Sequence, residues 1–160
     1  MNRPSTALVP QPADAIQLDD VRLQQMWIAV QRRRWRSLAI LAAGAGIPTL
    51  PTANLLAKIA WAYSGQPSAV FDLRDVSLRL LEHQIQNVQL QVTNGERVFV
   101  ALRSTSENPT AIALARTADA VLLCVTLGDT KTKAASDSIE SVGRDRFVGC
   151  VVVDPEPRAT

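Results

Sequence analysis

The sequence predicts an α/β protein with a mostly parallel central sheet and helices on both faces. Short apolar runs alternate with segments of helical periodicity along most of the chain, which is the pattern of strands connected by helices. Runs such as SLAILAA (37–43) are apolar at every position, as in parallel strands that are covered on both faces. A chain of 160 residues with 47% hydrophobic residues can bury such a core.

The chain is predicted to form a single domain over residues 18–154. Residues 1–17 contain three prolines and are expected to be a flexible lead-in, and residues 155–160 are expected to be a short tail. The N-terminus lacks the apolar core of a signal peptide, and no apolar run reaches membrane-spanning length. The expected location is therefore the cytoplasm, with a peripheral position at the inner face of the cell membrane as the alternative.

The first half of the predicted domain contains two helices and two strands. A helix is expected over 19–34, with acidic residues at its start and arginines at its end, which suits the helix dipole. The strand at 37–43 leads through a glycine turn into a helix at 52–65, which Gly65 should end. A second buried strand is expected at 68–75.

The second half continues the alternation of helices and strands. Helical spacing follows at 76–84, and the alternating residues on either side of Asn94-Gly95 predict a β-hairpin over 88–102. Further elements are a helix at 108–118, a strand at 119–128, a helix at 130–143 and a last strand at 146–154. Both cysteines, Cys124 and Cys150, fall in strand-like runs and are expected to be buried thiols, with a disulfide or metal pair as the minor alternative.

The turn between the first strand and its helix has the outline of a phosphate-binding loop. Its residues of interest are Gly44, Gly46, Ile47, Pro48 and Thr49. The glycines either only permit a tight turn or belong to a loop that still holds an anion at the following helix N-terminus, where exposed N–H groups attract phosphate.

The order of these motifs resembles a known family. A strand, a glycine turn, the TANLLA helix and a strand ending in Asp72-Leu73-Arg74 are similar to the MinD/ParA-type P-loop ATPases. The closest resemblance within them is to the bacterial tyrosine-autokinase-like proteins of capsule and exopolysaccharide assembly. Those proteins carry GEGKST, then ANLA, then a strand ending Asp-x-Asp-Leu-Arg. The resemblance covers residues 20–153 and implies a shortened P-loop-like three-layer sandwich.

The chain departs from the family at the loop lysine. Alignment on the glycines puts Ile47 there, and alignment on Asn54 puts Pro48 there. Neither side chain can neutralise phosphate charge, and Pro48 also lacks a backbone N–H. Thr49 alone stands where the magnesium-binding hydroxyl would be.

Two acidic positions are changed as well. Val70 corresponds to the family's first Asp after the second strand, and Leu102 and Arg103 stand where an acidic residue beside the metal is expected. Tyr63 is the only tyrosine, so the tyrosine-rich tail of the autokinases is absent. These losses predict a protein without ATPase or kinase activity, without a metal and without a cofactor, with residual ATP or ADP binding as the alternative.

Two further groups of residues are candidate functional residues. Asp72, Arg74 and Asp75 lie just past a strand end, where ligands bind in such sheets, and they fit a solvated ion pair equally well. The candidate docking residues for a partner are Trp27, Arg32, Arg33, Arg34, Trp35 and Arg36. Too few aromatic residues accompany these arginines to predict nucleic-acid binding. His83, the only histidine, has no Ser or Cys partner at a suggestive spacing.

The resemblance implies a non-catalytic regulatory or scaffolding partner in bacterial surface polysaccharide biosynthesis. Such a protein would act by protein–protein interaction, on a membrane-associated assembly component or as a homodimer. The first alternative is a weak nucleotide sensor or ATPase of the MinD/ParA class that uses Lys58, Lys131 or Lys133 instead of the loop lysine. The second is a membrane-surface adaptor that binds anionic lipid through its arginines.

Overall fold

A computed structural model of the protein describes residues 20–128 and 132–154. Within them five strands form one sheet: β1 (Ser37–Ala42), β2 (Ser68–Asp72), β3 (Arg97–Leu102), β4 (Ala120–Val125) and β5 (Phe147–Val152). The helices are α1 (Val21–Val30), α2 (Leu50–Ser64), α3 (Leu81–Thr93), α4 (Thr110–Thr117) and α5 (Thr132–Val142). None of these helices combines the length and the apolar character needed to cross a bilayer. The predicted lead-in at 1–17 and the tail at 155–160 lie outside the described residues.

The strand order is β2-β3-β1-β4-β5, and every neighbouring pair is parallel. All six residues of β1 and five of the six in β3 and β4 are buried, because each of these strands has a neighbour on both sides and helices above and below. The predicted fold class, a parallel sheet between two helical layers, is confirmed. It is consistent with a P-loop-like sandwich.

The two sides of the sheet carry different helices. One core cluster joins Leu38 and Ile40 of β1 to residues of α1 and α2. The other joins Ala39 and Leu41 of β1 to residues of α3, α4 and α5. This division follows from the period of two along a strand, which sends alternate side chains to opposite faces.

The predicted hairpin over 88–102 is wrong. Residues 88–93 belong to α3, and β3 pairs in parallel with β1 and β2. Leu81, Ile85, Val88 and Val92 all contact the same core cluster, and their spacing of four, three and four residues is helical. Gly95 has φ +88° after the helix C-cap, so the Asn-Gly pair follows the end of a helix.

The first helix is shorter than predicted. It begins at Val21 with Asp20 as its N-cap, whose carboxylate accepts a hydrogen bond from the Arg22 backbone N–H at 2.9 Å. It ends at Val30, so the arginines lie beyond it and not in its last turn. The prediction for α2 holds at its end, where Gly65 takes a left-handed conformation (φ +64°) as the C-cap.

Candidate functional site

The loop between β1 and α2 lies at a point where the connections that follow neighbouring strands cross to opposite faces of the sheet. From β1 it passes to α2 on one face, whereas from β3 and β4 it passes to α4 and α5 on the other face. A crevice at the carboxyl ends of the strands is expected at such a switch point, and it is the usual ligand site of doubly wound sheets. We call the side of the sheet at which the strands end the carboxyl edge, and the opposite side the amino edge.

Apolar packing holds this loop in place. Ile47, at one of the two possible lysine positions, contacts both core clusters. Gly46 has φ +76°, which favours glycine, whereas Gly44 has no positive φ and a Cβ there would meet only Ile47 at an ordinary 3.9 Å. One glycine therefore serves the turn, and Ile47 fixes the loop to the core.

The hydroxyl of Thr49 is already bound within the fold. Its Oγ1 donates a hydrogen bond of 2.9 Å to the backbone carbonyl of Leu102, the last residue of β3. Thr49 is only 1% exposed. The hydroxyl that the family resemblance assigns to magnesium thus connects the loop to the neighbouring strand.

Prolines reduce the number of N–H groups that this loop can offer an anion. Pro48 lies in the loop and Pro51 in the first turn of α2, and neither carries a backbone N–H. A phosphate cradle depends on consecutive N–H groups in the loop and at the helix N-terminus. The segment 48–52 therefore lacks two of its five possible donors.

The strand-end cluster consists of Asp72, Arg74, Asp75 and Arg103. The Arg74 guanidinium donates two hydrogen bonds to Asp72, from Nε to Oδ1 at 2.7 Å and from Nη2 to Oδ2 at 2.8 Å. Arg103 donates from Nε to Asp75 Oδ1 at 2.7 Å. Each carboxylate thus has an arginine partner. Asp72 and Asp75 also border a small cavity of about 140 Å³.

These ion pairs limit what the carboxylates can do chemically. Hydrogen bonds from the Arg74 side chain hold the pKa of Asp72 below its usual range. A carboxylate with a lowered pKa is a weak base at neutral pH, so Asp72 is poorly suited to activate a nucleophile. Val70, at the position of the family's catalytic Asp, is buried in β2 at 1% exposure.

Asn108 connects the segments after β2 and β3, a role that the sequence did not suggest. Its amide nitrogen donates to the carbonyls of Arg74 (3.2 Å) and Val76 (3.0 Å). Thr110 adds a hydrogen bond from Oγ1 to the Val76 carbonyl at 3.1 Å. The only available signal was an Asn-Pro pair ahead of a helix, which is common at turns and not specific to this role. The polar groups of this edge therefore hold its loops together.

The docking candidates lie near the amino edge, away from the β1–α2 loop. Trp35 is buried at 6% exposure, and its Nε1 donates to the Val30 carbonyl at 2.7 Å. Its ring also makes an edge contact with Phe99. Trp35 is therefore part of the core, and its candidacy as a docking residue is wrong. Trp27 is half-buried against the core of the same face.

The arginines of the run differ in their contacts. All four are exposed. The Arg33 guanidinium donates to the backbone carbonyls of Asp119 (2.8 Å) and Asp145, so Arg33 supports the fold. The other three, Arg32, Arg34 and Arg36, have side chains with no hydrogen bond or ion pair to any residue in 20–128 or 132–154. Arg33, Arg34 and Arg36 border a cavity of about 840 Å³.

The remaining candidates do not form a reactive group. Burial raises the pKa of Cys124 to about 12, so its thiol is not reactive at neutral pH. Cys150 is exposed on β5, which makes the expectation of burial wrong for this residue, and both thiols are free. Within the described ranges no three His, Cys, Asp or Glu residues come together as a metal site.

Of the lysines considered as substitutes, two lie on helices. Lys58 is half-buried in α2, and Lys133 is exposed in α5. Lys131 falls outside the described residues. Lys58 is nine residues along the chain from Thr49, which corresponds to about 13 Å of rise in a helix, so it is a poor replacement for a loop lysine.

Comparisons with known proteins do not assign this chain to a family. The chain matches no protein-family model, no curated protein and no solved structure. The MinD/ParA-type resemblance therefore stays a prediction from the order of motifs.

Proposed function

We propose that this chain is a non-catalytic protein with a P-loop-like fold that acts by protein–protein interaction. The observation that carries the proposal is the hydrogen bond from Thr49 to Leu102. That bond uses the one retained polar side chain of the loop within the fold, and Ile47, at one of the two possible lysine positions, packs into the core. Phosphoryl transfer needs a charged clamp, a metal and a positioned nucleophile. At this edge the charged groups Asp72, Arg74, Asp75 and Arg103 are already paired with one another, which supports the proposal.

The family resemblance extends this proposal to a biological pathway. Within it, the chain is a regulatory or scaffolding partner in bacterial surface polysaccharide biosynthesis, positioned at the inner face of the membrane by an assembly component. The pathway follows from the order of motifs alone. A nucleotide sensor of the MinD/ParA class is the competing function, and it requires a cation that replaces the loop lysine.

The contact surface proposed here is the carboxyl edge, and its proposed occupant is a second copy of this chain. Leu127 and Leu78 are 82% and 79% exposed, the two highest values among the large hydrophobic side chains that the structure describes. Both follow strand ends at this edge. Family members of this type often dimerise across the corresponding face, and apolar side chains at the centre of an interface supply much of its affinity.

Replacing Leu127 by glutamate tests the proposed surface. We expect the wild type to form a dimer in sedimentation velocity, and Leu127→Glu to raise the dimer dissociation constant by at least about tenfold, because a buried carboxylate would lack a partner. Leu90→Glu is the matched control, since Leu90 is 58% exposed near the C-terminus of α3, which returns the chain to the amino edge. A wild type that stays monomeric at all concentrations, or an equal effect of both substitutions, would contradict the proposed surface.

A further inference from the structure

A cavity of about 840 Å³ lies at the amino edge of the sheet, opposite the β1–α2 loop. Segments that precede four different strands border it. Four arginines and two carboxylates contribute charge to its walls: Arg33, Arg34, Arg36, Arg97, Glu96 and Asp119. This volume is within the range of pockets that hold small molecules, and the balance of charges favours an anion.

The acidic groups of the cavity do not neutralise its arginines. The Asp119 carboxylate accepts hydrogen bonds from the backbone N–H groups of Arg36 (2.8 Å) and Ser37 (3.2 Å). Arg34 and Arg36 have no ion pair with any residue that the structure describes, and the same holds for the Glu96 side chain. Two guanidinium groups therefore remain available.

Arg97 is a fixed cation in the wall of this cavity. Its guanidinium lies over the ring of Trp35 at 4.9 Å from the centroid and over that of Trp27 at 5.5 Å. Within the described part of the chain, its Nη1 is buried and has no hydrogen-bond partner, although buried polar groups of proteins almost always have one. Burial lowers the pKa of Arg97. The two rings hold the cation in position without accepting its in-plane N–H bonds.

The sheet register places a second arginine beside Arg97. Ser37 of β1 pairs with Val98 of β3, so Arg36, which directly precedes β1, lies beside Arg97, the first residue of β3. Like charges opposite each other on neighbouring strands are destabilising. An anion shared by the accessible parts of the two guanidinium groups would reduce this repulsion.

We propose that this cavity binds a phosphate group of a small molecule, held between Arg97 and Arg36 with Arg34 as a third cation. Phosphate suits the site better than carboxylate because its peripheral oxygens can accept from several guanidinium groups at once. The site is separate from the β1–α2 loop and does not depend on the proposed function, because it lies at the other edge of the sheet and uses none of the same residues.

Calorimetric titration with pyrophosphate at constant ionic strength tests this site. We expect saturable binding at one site per chain. Arg36→Gln should weaken it by about tenfold or more, the loss of a charge-assisted hydrogen bond. Arg32→Gln is the matched control, because it removes the same charge from the same exposed segment but from a residue that does not border the cavity. It should change the dissociation constant by no more than about twofold, since the distant charge is screened.

Arg97→Met separates a binding role from a structural one. Methionine keeps an apolar stem beside the tryptophan rings and removes the unpartnered N–H, so we expect a melting temperature without pyrophosphate equal to or above that of the wild type. The rise in melting temperature that pyrophosphate gives the wild type should be absent. A destabilised variant that keeps this rise would overturn the proposal, and Arg36→Gln keeps the test decisive if Arg97→Met does not fold.

Two results would contradict the proposed phosphate site: the absence of pyrophosphate binding, and an equal effect of Arg32→Gln and Arg36→Gln. If pyrophosphate does not bind but vesicles that contain phosphatidic acid do, the arginines belong to a lipid-binding surface instead. The proposed site is supported if pyrophosphate binds, if Arg36→Gln and Arg97→Met remove this binding, and if Arg32→Gln keeps it.

Discussion

Replacing Phe99 by alanine is expected to lower the free energy of unfolding by about 3–5 kcal/mol, the cost of emptying a large aromatic site in a packed core. Phe99 is fully buried in β3. It pairs with Leu38 of β1 and Val70 of β2 in the sheet register, and its ring meets Trp35 edge-on at 5.3 Å and 79°. Its removal opens a space between β3 and the ring of Trp35.

Urea unfolding followed by circular dichroism measures this effect, with the slope of the transition compared between the variants. Phe99→Leu is the control, because it keeps most of the apolar volume and should cost less than half as much. A loss below about 1 kcal/mol in Phe99→Ala is the usual result for a residue outside the core, and it would mean that Phe99 does not link the sheet to Trp35.

Replacing Thr49 by valine is the second large effect that we expect. The substitution keeps the shape of the side chain and removes the hydroxyl that donates to the Leu102 carbonyl. Because that carbonyl is then left buried without this partner, stability should fall by about 1–3 kcal/mol. Thr49 makes no side-chain hydrogen bond to the N-terminus of α2, so a lost helix cap does not contribute to the change.

Thr93→Val is the matched control for this substitution. Thr93 also donates its hydroxyl to a backbone carbonyl, that of Gln89 at 2.9 Å, but it is exposed at the end of α3. Its replacement should therefore change stability by no more than about 0.5 kcal/mol. If Thr49→Val is equally harmless, the hydroxyl of Thr49 is not needed by the fold and remains free for a ligand.

The strands were predictable because a strand that is buried on both faces has a continuous run of apolar residues in the sequence. Runs such as 37–43 are almost entirely apolar, as strands covered on both sides are, and their short length favours a strand over a buried helix. The hairpin prediction failed because Asn-Gly also fits the end of a helix. The spacing of Leu81, Ile85, Val88 and Val92 was in the sequence and could have favoured the helix.

The site was predictable only in part. Loop chemistry can be read from adjacent residues, so the absence of a lysine at Ile47 and Pro48 was visible in the sequence. The role of Arg97 was not, because its contacts with Trp27 and Trp35 join residues more than 60 positions apart. Nor did the arginines near Trp35 indicate its burial, where the Val30 carbonyl accepts the hydrogen bond from its indole N–H.

The most direct test of the proposed loss of nucleotide binding at the β1–α2 loop is a calorimetric titration with ATP and ADP, with and without magnesium. We expect no magnesium-dependent heat from this loop at millimolar nucleotide, because the Thr49 hydroxyl is bound to Leu102, neither Ile47 nor Pro48 carries a positive charge, and Pro48 and Pro51 have no backbone N–H. Heat from the amino-edge cavity would not require magnesium, and Arg36→Gln would remove it. Saturable binding that requires magnesium and disappears in Thr49→Val would contradict the proposed loss of function.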